Sequence, residues 1–294
     1  MNQLDVGCKM PLEEWMDLNR NQIFTNPELK KVVSPFPPVE LMANVSGLQN
    51  ERDFAAHGTD IFRALTAASS KPLSEFSSIL DFGCGCGRLA RMFKGHSGHI
   101  AGCDIDARHV DWINNNLDFM EAKLSKVTPP IPYEENEFEA IISISIFTHL
   151  TEKSQDHFLS ELHRVCASDG RLFLTVHGKR ALERALSEPT ILAMLSMDPQ
   201  RFKRAQQEFA ENRHAFVLQF GHLTTVYENE SEGEHDKIIE SGETKMVQEP
   251  FEYGITFIPE AYLRTHWGKW FDIVDYRHGG IHDFQDIVVL RPKN

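Results

Sequence analysis

The stretch Ser78-Ile79-Leu80-Asp81-Phe82-Gly83-Cys84-Gly85-Cys86-Gly87 decides how this chain is read. Its first half is a β-rich apolar run. Its second half places a glycine at every other position. Glycines there allow a tight turn and let the backbone approach a ligand closely. Gly87 to Lys94 reads as the opening of a helix, whose N-terminus presents free N–H groups and the positive end of its dipole. A second strand, His99-Ile100-Ala101-Gly102-Cys103, runs into Asp104, with Asp106 just after. An acid about 20 residues beyond such a loop can accept hydrogen bonds from both ribose hydroxyls.

Outward from this unit, strands and helices keep alternating. A helix is expected over about 107–120, a third strand near Lys123–Val127 and a fourth over Glu139–Ile146. Thr151 to Cys166 is amphipathic, with Phe158, Leu159, Leu162 and Val165 inward, and ends before Asp169-Gly170. Arg171 to Val176 is the fifth strand. This rhythm implies a parallel sheet with helices on both faces. Upstream, Pro11–Phe24 reads as a helix, and Ser34-Pro35-Phe36-Pro37-Pro38 runs extended. Residues 51–69 form a helix with Phe54, Gly58, Ile61 and Leu65 on one face. Downstream, Lys179–Ser187 and Gln200–Asn212 look helical, and the acidic run Glu228–Glu234 reads as a solvated loop. Gly254–Ile258 is extended and Pro259–Gly268 is a short helix. Phe271–Tyr276 and Asp286–Leu290, joined through Gly279-Gly280, form a closing antiparallel pair.

Composition narrows the function. The 294 residues are 41% hydrophobic and 25% charged, ordinary for a globular chain. The net charge of −13, from 43 acids and 30 bases, disfavours a nucleic-acid or anionic-membrane partner. No apolar run approaches the ~18–20 residues of a membrane span, and the N-terminus shows no signal-peptide pattern. Five cysteines is an odd number. Cys84 and Cys86 sit too close for an ordinary disulfide, so the thiols read as reduced and the location as cytoplasmic. Cys84-x-Cys86 with His96 or His99 lacks the spacing of the common zinc fingers, and no metal site is expected.

The glycine loop admits two cofactors. From Gly85, Gly-x-Gly-x-x-Ala fits a relaxed dinucleotide fingerprint, the basis of an alternative reading as an NAD(P)-dependent oxidoreductase. From Asp81, the pattern is acid-x-Gly-x-Gly-x-Gly. A pyrophosphate gains nothing from a carboxylate at the strand end, whereas an ammonium does, so Asp81 favours S-adenosylmethionine. Ile79–Gly85, Gly102–Asp106, Phe138–Ser143, Ile146–Leu150 and Leu162–Leu172 stand in an order and spacing that resemble class I S-adenosylmethionine-dependent methyltransferases. The resemblance covers about residues 75–177 and the terminal strand pair. Phe147-Thr148-His149-Leu150, Thr175-Val176-His177-Gly178 and Gln285-Asp286-Ile287 add a likeness to bacterial members that act on small molecules.

That resemblance implies a Rossmann-like, doubly wound, mostly parallel seven-stranded sheet with an antiparallel last strand. It implies an N-terminal helical cap over residues 1–74 and a catalytic domain over 75–294. A helical insertion at about 178–250 follows strand five. It places Asp81 on the methionine amino group, the backbone of Gly83, Cys84 and Gly85 along the cofactor and Gly87 at the helix–strand packing. Arg88, read at the start of the first helix, is a candidate for the cofactor carboxylate, with a surface role the alternative. Asp104 takes the ribose hydroxyls and Ile105 the adenine, with Ser143 and Ser145 at the mouth of strand four. Members of the family often carry an acid after strand three for the adenine amino group. Here Thr128–Tyr133 has none, which leaves a backbone contact or an apolar one such as Ile131. No Asn/Asp-Pro-Pro-Tyr follows strand four, so nucleic-acid base methylation is not indicated. The expected reaction moves a methyl group from S-adenosyl-L-methionine to O, N or S of a small-molecule acceptor and leaves S-adenosyl-L-homocysteine. His149 is the candidate catalytic residue. A non-catalytic S-adenosylmethionine-binding protein is the other alternative.

Overall fold

The computed structural model describes residues 10–219 and 252–293. Its strands are β1 (Ser78–Phe82), β2 (His99–Asp104), β3 (Glu121–Leu124), β4 (Phe138–Ser143), β5 (Cys166–Val176), β6 (Ala215–Leu218), β7 (Gly254–Phe257), β8 (Phe271–Ile281) and β9 (Gln285–Pro292). Seven of them form one sheet in the order β3-β2-β1-β4-β5-β9-β8. β1 to β5 pair in parallel, and β9 lies antiparallel between β5 and β8. The expected mostly parallel seven-stranded sheet is what forms. Its order reverses at β1: the chain runs outward from β1 through β2 to β3, then crosses back to β4 on the other side of β1. That switch point is where open α/β sheets bind ligands.

Alternating strand residues feed two cores, as a period of two requires. Ile79, Ile142 and Phe173 pack on one face with Ile61, Phe62 and Leu65 from helix Glu51–Ala68. Leu80, Ile141, Leu172 and Leu174 pack on the other with Phe158, Leu159 and Leu162 from helix Glu152–Val165. Both helices are N-capped by side chains: Asn50 accepts from the Asp53 amide, and Thr151 from the Ser154 amide.

The first core also takes in the N-terminal segment. Leu12–Asp17, Leu18–Gln22 and Ile23–Thr25 make one helical run with a π turn in its middle. Trp15, Met16, Leu18 and Ile23 are buried against the sheet's helices, and the Trp15 indole donates to the Met92 carbonyl at 2.9 Å. Residues beyond β5 build a smaller cluster of their own. Helices Lys179–Ser187, Pro189–Leu195 and Pro199–Ala210 close over the two-stranded β6–β7 sheet around Phe202, Val217 and Phe257. Strand β6 has no counterpart in the sequence reading, and the acidic run Glu228–Glu234 lies outside the described residues, as does Cys8.

Some strands differ in their bounds: β4 stops at Ser143, short of Ile146, β5 starts at Cys166, ahead of Arg171, and β8 runs through Gly279-Gly280 so that the turn to β9 falls after Ile281. One expected element differs in kind. Gly87 to Lys94 does not open an α-helix. Turns run from Gly85 to Leu89, followed by a single 3₁₀ turn, Ala90–Phe93. The cause is contact with helix Glu51–Ala68, where a Cβ on Gly58 would sit 2.4 Å from the Arg88 carbonyl oxygen. The loop must wind tightly to follow that helix. An extended helix dipole is therefore absent behind the glycine loop, and the local positive charge comes from Arg88.

Candidate active site

A cavity of about 230 Å³ lies at the carboxyl ends of β1, β2 and β4. Its floor is the glycine loop. Gly83 (φ +75°) and Gly85 (φ +52°) both occupy the left-handed region. A Cβ on Gly83 would sit 2.3 Å from Ile146 Cδ1, and one on Gly85 2.7 Å from Val45 Cγ2. Conformation and space therefore both demand glycine at these two positions. The amides of Gly83 and Cys84 donate to the Cys103 carbonyl, at 2.9 and 3.1 Å, and so tie the loop to β2.

Asp104 at the end of β2 holds the loop from the other side. Its Oδ2 accepts from the Gly85 amide at 2.8 Å and its Oδ1 from the Asp106 amide at 2.9 Å. An ionised carboxylate has about four lone-pair sites, so acceptor capacity remains for a ligand. His109 Nδ1 lies 3.5 Å from Asp104 Oδ1 and lines the same cavity.

Asp81 ends β1 with its carboxyl buried and its Oδ2 without a hydrogen-bond partner among the described residues. Burial pushes its pKa up to about 7, the nearby Arg88 guanidinium pulls it down, and Asp104 adds to the rise. Burial in turn brings Arg88 down to about 10. A buried carboxylate with an open oxygen, beside a buried guanidinium on one cavity wall, suits a ligand carrying both an ammonium and a carboxylate.

Just past β4, Ser145 adopts φ +62°. For a non-glycine residue this costs of order 1–3 kcal/mol. Its amide donates to Thr175 Oγ1 at 2.8 Å, and its Oγ accepts from the Gln285 amide at 2.9 Å. The terminal strand thus pins the mouth of β4. His149 also lines the cavity, with Nδ1 2.8 Å from the Gly254 carbonyl. Burial lowers its pKa to about 4, against the Gly254 hydrogen bond.

Asp81, Gly83, Cys84, Gly85, Arg88, Asp104, Ile105, Ser145 and His149 are brought together around this cavity. Gly87, Ile131 and Ser143 are not among its lining residues. Gly87, at φ +83°, faces Leu117, where a Cβ would sit 2.9 Å from Cδ1. Ile131 is 2% exposed in the core beneath helix Glu152–Val165, its amide donating to Glu161 at 3.0 Å. Ser143 is fully buried within β4. His177 is buried too, between Phe257 and Phe284.

Sequence reading missed Asn44, Val45, Ser125, Lys126 and Tyr253 on the cavity wall. Ser125 and Lys126 follow β3, the point at which an acid was sought. Asn44 and Val45 belong to helix Val39–Ser46, a two-turn helix too short to show apolar periodicity after the extended Pro35-Phe36-Pro37-Pro38. Among the described residues no group of three or more His, Cys, Asp or Glu side chains could hold a metal, and no helix is long and apolar enough to cross a membrane.

Residues 79–170 match the family model described as a methyltransferase domain. The fold is shared with the PH0226 protein of Pyrococcus horikoshii, at 12% identity and a TM-score of 0.56, over 88% of this chain and 100% of that one. A Burkholderia thailandensis 1,6-didemethyltoxoflavin-N1-methyltransferase, crystallised with 1,6-didemethyltoxoflavin and S-adenosylhomocysteine, aligns over 88% of this chain and 92% of its own, at 14% identity and a TM-score of 0.48. The unpartnered Asp81 oxygen and the glycine cradle fit S-adenosylmethionine, with its ammonium and its extended backbone-lined contacts.

Proposed function

We propose that the chain is an S-adenosylmethionine-dependent methyltransferase whose acceptor is a small molecule enclosed beside the glycine loop. The observation that carries this reading is the composition of the cavity wall. The cofactor-side residues Asp81, Gly83 and Asp104 share one cavity with Asn44 and Val45 from helix Val39–Ser46 and with His149 and Tyr253. An acceptor held there meets the cofactor with little water between them. Enclosure aligns and desolvates the attacking atom, which is most of what methyl transfer needs. The net charge of −13 works against a polyanionic acceptor.

In this reading Asp81 holds the cofactor's ammonium, Arg88 its carboxylate and Asp104 its ribose hydroxyls. Backbone groups of Gly83, Cys84 and Gly85 lie along it, and Ile105 packs on the adenine. When bound, the cofactor supplies an electrophilic methyl on a sulfonium. Ser145, fixed by Thr175 and Gln285, shapes the mouth of β4. His149 is the acceptor-side catalytic residue. The N-terminal segment over residues 1–74 contributes Asn44, Val45 and Ile61 to the wall, and the domain over 75–294 contributes the cofactor half together with His149 and Tyr253.

Turnover of a metabolite library, read as S-adenosylhomocysteine formed, tests the proposal. A small molecule methylated at a rate well above the solvent background supports it. Methylation confined to protein or nucleic acid overturns it.

A further inference from the structure

We propose that His149 works as a neutral imidazole locked in the Nδ1–H tautomer by the Gly254 carbonyl and held flat by Tyr253, so that Nε2 takes a proton from an acceptor hydroxyl. This deepens the proposed function and rests on its placement of the acceptor beside His149.

Nδ1 of His149 lies 2.8 Å from the Gly254 carbonyl oxygen. A carbonyl only accepts, so Nδ1 carries the hydrogen. Burial keeps the ring neutral, with its pKa lowered to about 4. A neutral imidazole with a proton on Nδ1 must have a lone pair on Nε2. That nitrogen makes no hydrogen bond among the described residues, on a ring that lines the cavity. The Tyr253 ring stacks on the imidazole at 4.5 Å between centroids and 13° between planes. Gly254 and His149 also pair through the backbone, the Gly254 amide donating to the His149 carbonyl at 3.3 Å. Strand β7, reached only after the insertion, thus fixes both tautomer and ring plane.

Other nearby groups are poor substitutes as a base. Burial raises the Tyr253 hydroxyl to about 12, so it stays protonated. His177, edge-on to His149 at 6.5 Å, is lowered to about 3 by burial and then by His149 itself. It sits among aromatic rings away from the cavity lining. Asp81 and Arg88 share the cavity but belong to its cofactor side.

A base of such low pKa cannot ionise a resting hydroxyl. It can accept the proton late. As the acceptor oxygen forms its bond to the methyl carbon, the carbon–sulfur pair returns to sulfur, giving a thioether, and the still-protonated oxygen becomes strongly acidic. The O–H bond then breaks toward Nε2, leaving a methyl ether and an imidazolium whose Nδ1–H still donates to Gly254. An acceptor already ionised, such as a thiolate, would need no such group. The chemistry therefore points to a hydroxyl acceptor.

The test is ¹⁵N NMR of the S-adenosylhomocysteine-bound protein, with His149 assigned by its loss in His149→Gln. Expected are a neutral Nδ1–H ring at pH 5.5, an unchanged spectrum in Tyr253→Phe, and an upward shift of at least one pH unit in the His149 midpoint in Tyr253→Leu, where water reaches the ring. Phenol, as a minimal hydroxyl probe, should move the Nε2 resonance more than anisole does. An Nε2–H tautomer, or a midpoint near that of free histidine in the unsubstituted protein, overturns the assignment of the base. An unmoved midpoint in Tyr253→Leu overturns the role of Tyr253, and equal responses to phenol and anisole overturn the hydroxyl. Each of these results stands apart from the library assay, which tests whether the acceptor is a small molecule at all.

Discussion

The two halves of the cavity are built from opposite kinds of sequence. The half proposed to hold the cofactor comes from a short contiguous stretch: Asp81 to Arg88, then Asp104 and Ile105 one strand later. The half proposed to hold the acceptor is assembled from Val45, His149 and Tyr253, which are more than a hundred residues apart from either neighbour in the chain. Local sequence can specify the first, because a tight turn, a left-handed glycine and a terminal carboxylate each leave a mark within a few residues. The second exists only once the sheet, the N-terminal segment and β7 have come together. This contrast predicts that damage to the acceptor half will fall on turnover, while damage to the cofactor half will fall on affinity.

The contrast breaks first at the N-terminus, which contributes to both the wall and the core. Trp15 is fully buried and its indole is bonded to Met92 across 77 residues of chain. Trp15→Ala should cost about 3–5 kcal/mol of stability, as large-to-small changes of buried aromatics do, read as a shift in the urea midpoint. A loss under 1 kcal/mol would make the segment a detachable cover. Next in size is His149→Gln. General-base assistance contributes about 100- to 10,000-fold, so turnover should fall at least about 100-fold at the low end of that range. S-adenosylhomocysteine affinity should stay within a few-fold, measured by titration calorimetry. A comparable loss of affinity would place His149 in the cofactor half.

The sheet order, both principal helices and the closing strand pair were legible because their apolar residues repeat at 2.0 or 3.6 residues over long enough runs. Helix 87–94 was misread because its pattern is apolar in a helical way, yet Gly58 brings the Arg88 carbonyl so close that the chain turns instead. Ser143 and Ile131 were expected in the cavity from their distance to strand ends. Ser143 is still within β4 and fully buried, and Ile131 packs in the core under helix Glu152–Val165. Tyr253 left no local signal, since its partner, His149, is 104 residues away in sequence and only 4.5 Å away in space.

Asp104→Ala sharpens the comparison from the cofactor side. It removes a carboxylate that takes the Gly85 and Asp106 amides and has capacity left for two hydroxyls. Loss of charge-assisted hydrogen bonds of this kind costs about 1.5–3 kcal/mol. Affinity for S-adenosylhomocysteine should fall by about 10- to 150-fold, while the fold survives, because the residue ends a strand and fills no core. Unchanged affinity in a folded variant would remove Asp104 from the ribose site.

The smallest effect, and the one that reports most directly on the buried charge, is the pH dependence of cofactor binding. Burial raises Asp81 from 3.8 to about 7 in the free protein. Its neutral form is therefore the favoured one below pH 7, and folding is helped by this group at low pH and progressively less as pH rises from about 4 to 7. Binding has the opposite sign. A ligand ammonium favours the ionised carboxylate, so a proton must leave Asp81 when the ligand binds below pH 7. Affinity for S-adenosylhomocysteine should then be nearly level above pH 7 and fall as pH drops, approaching tenfold per unit, or about 1.4 kcal/mol. Calorimetry at pH 6 in buffers of different ionisation enthalpy should register close to one proton released per ligand bound. In Asp81→Asn the release should vanish and the pH profile flatten at the weaker affinity. Equal affinity at pH 6 and pH 8 in the unsubstituted protein, without proton release, would mean that Asp81 does not meet the ammonium, and the cofactor half would then rest on Asp104 and the glycine loop alone.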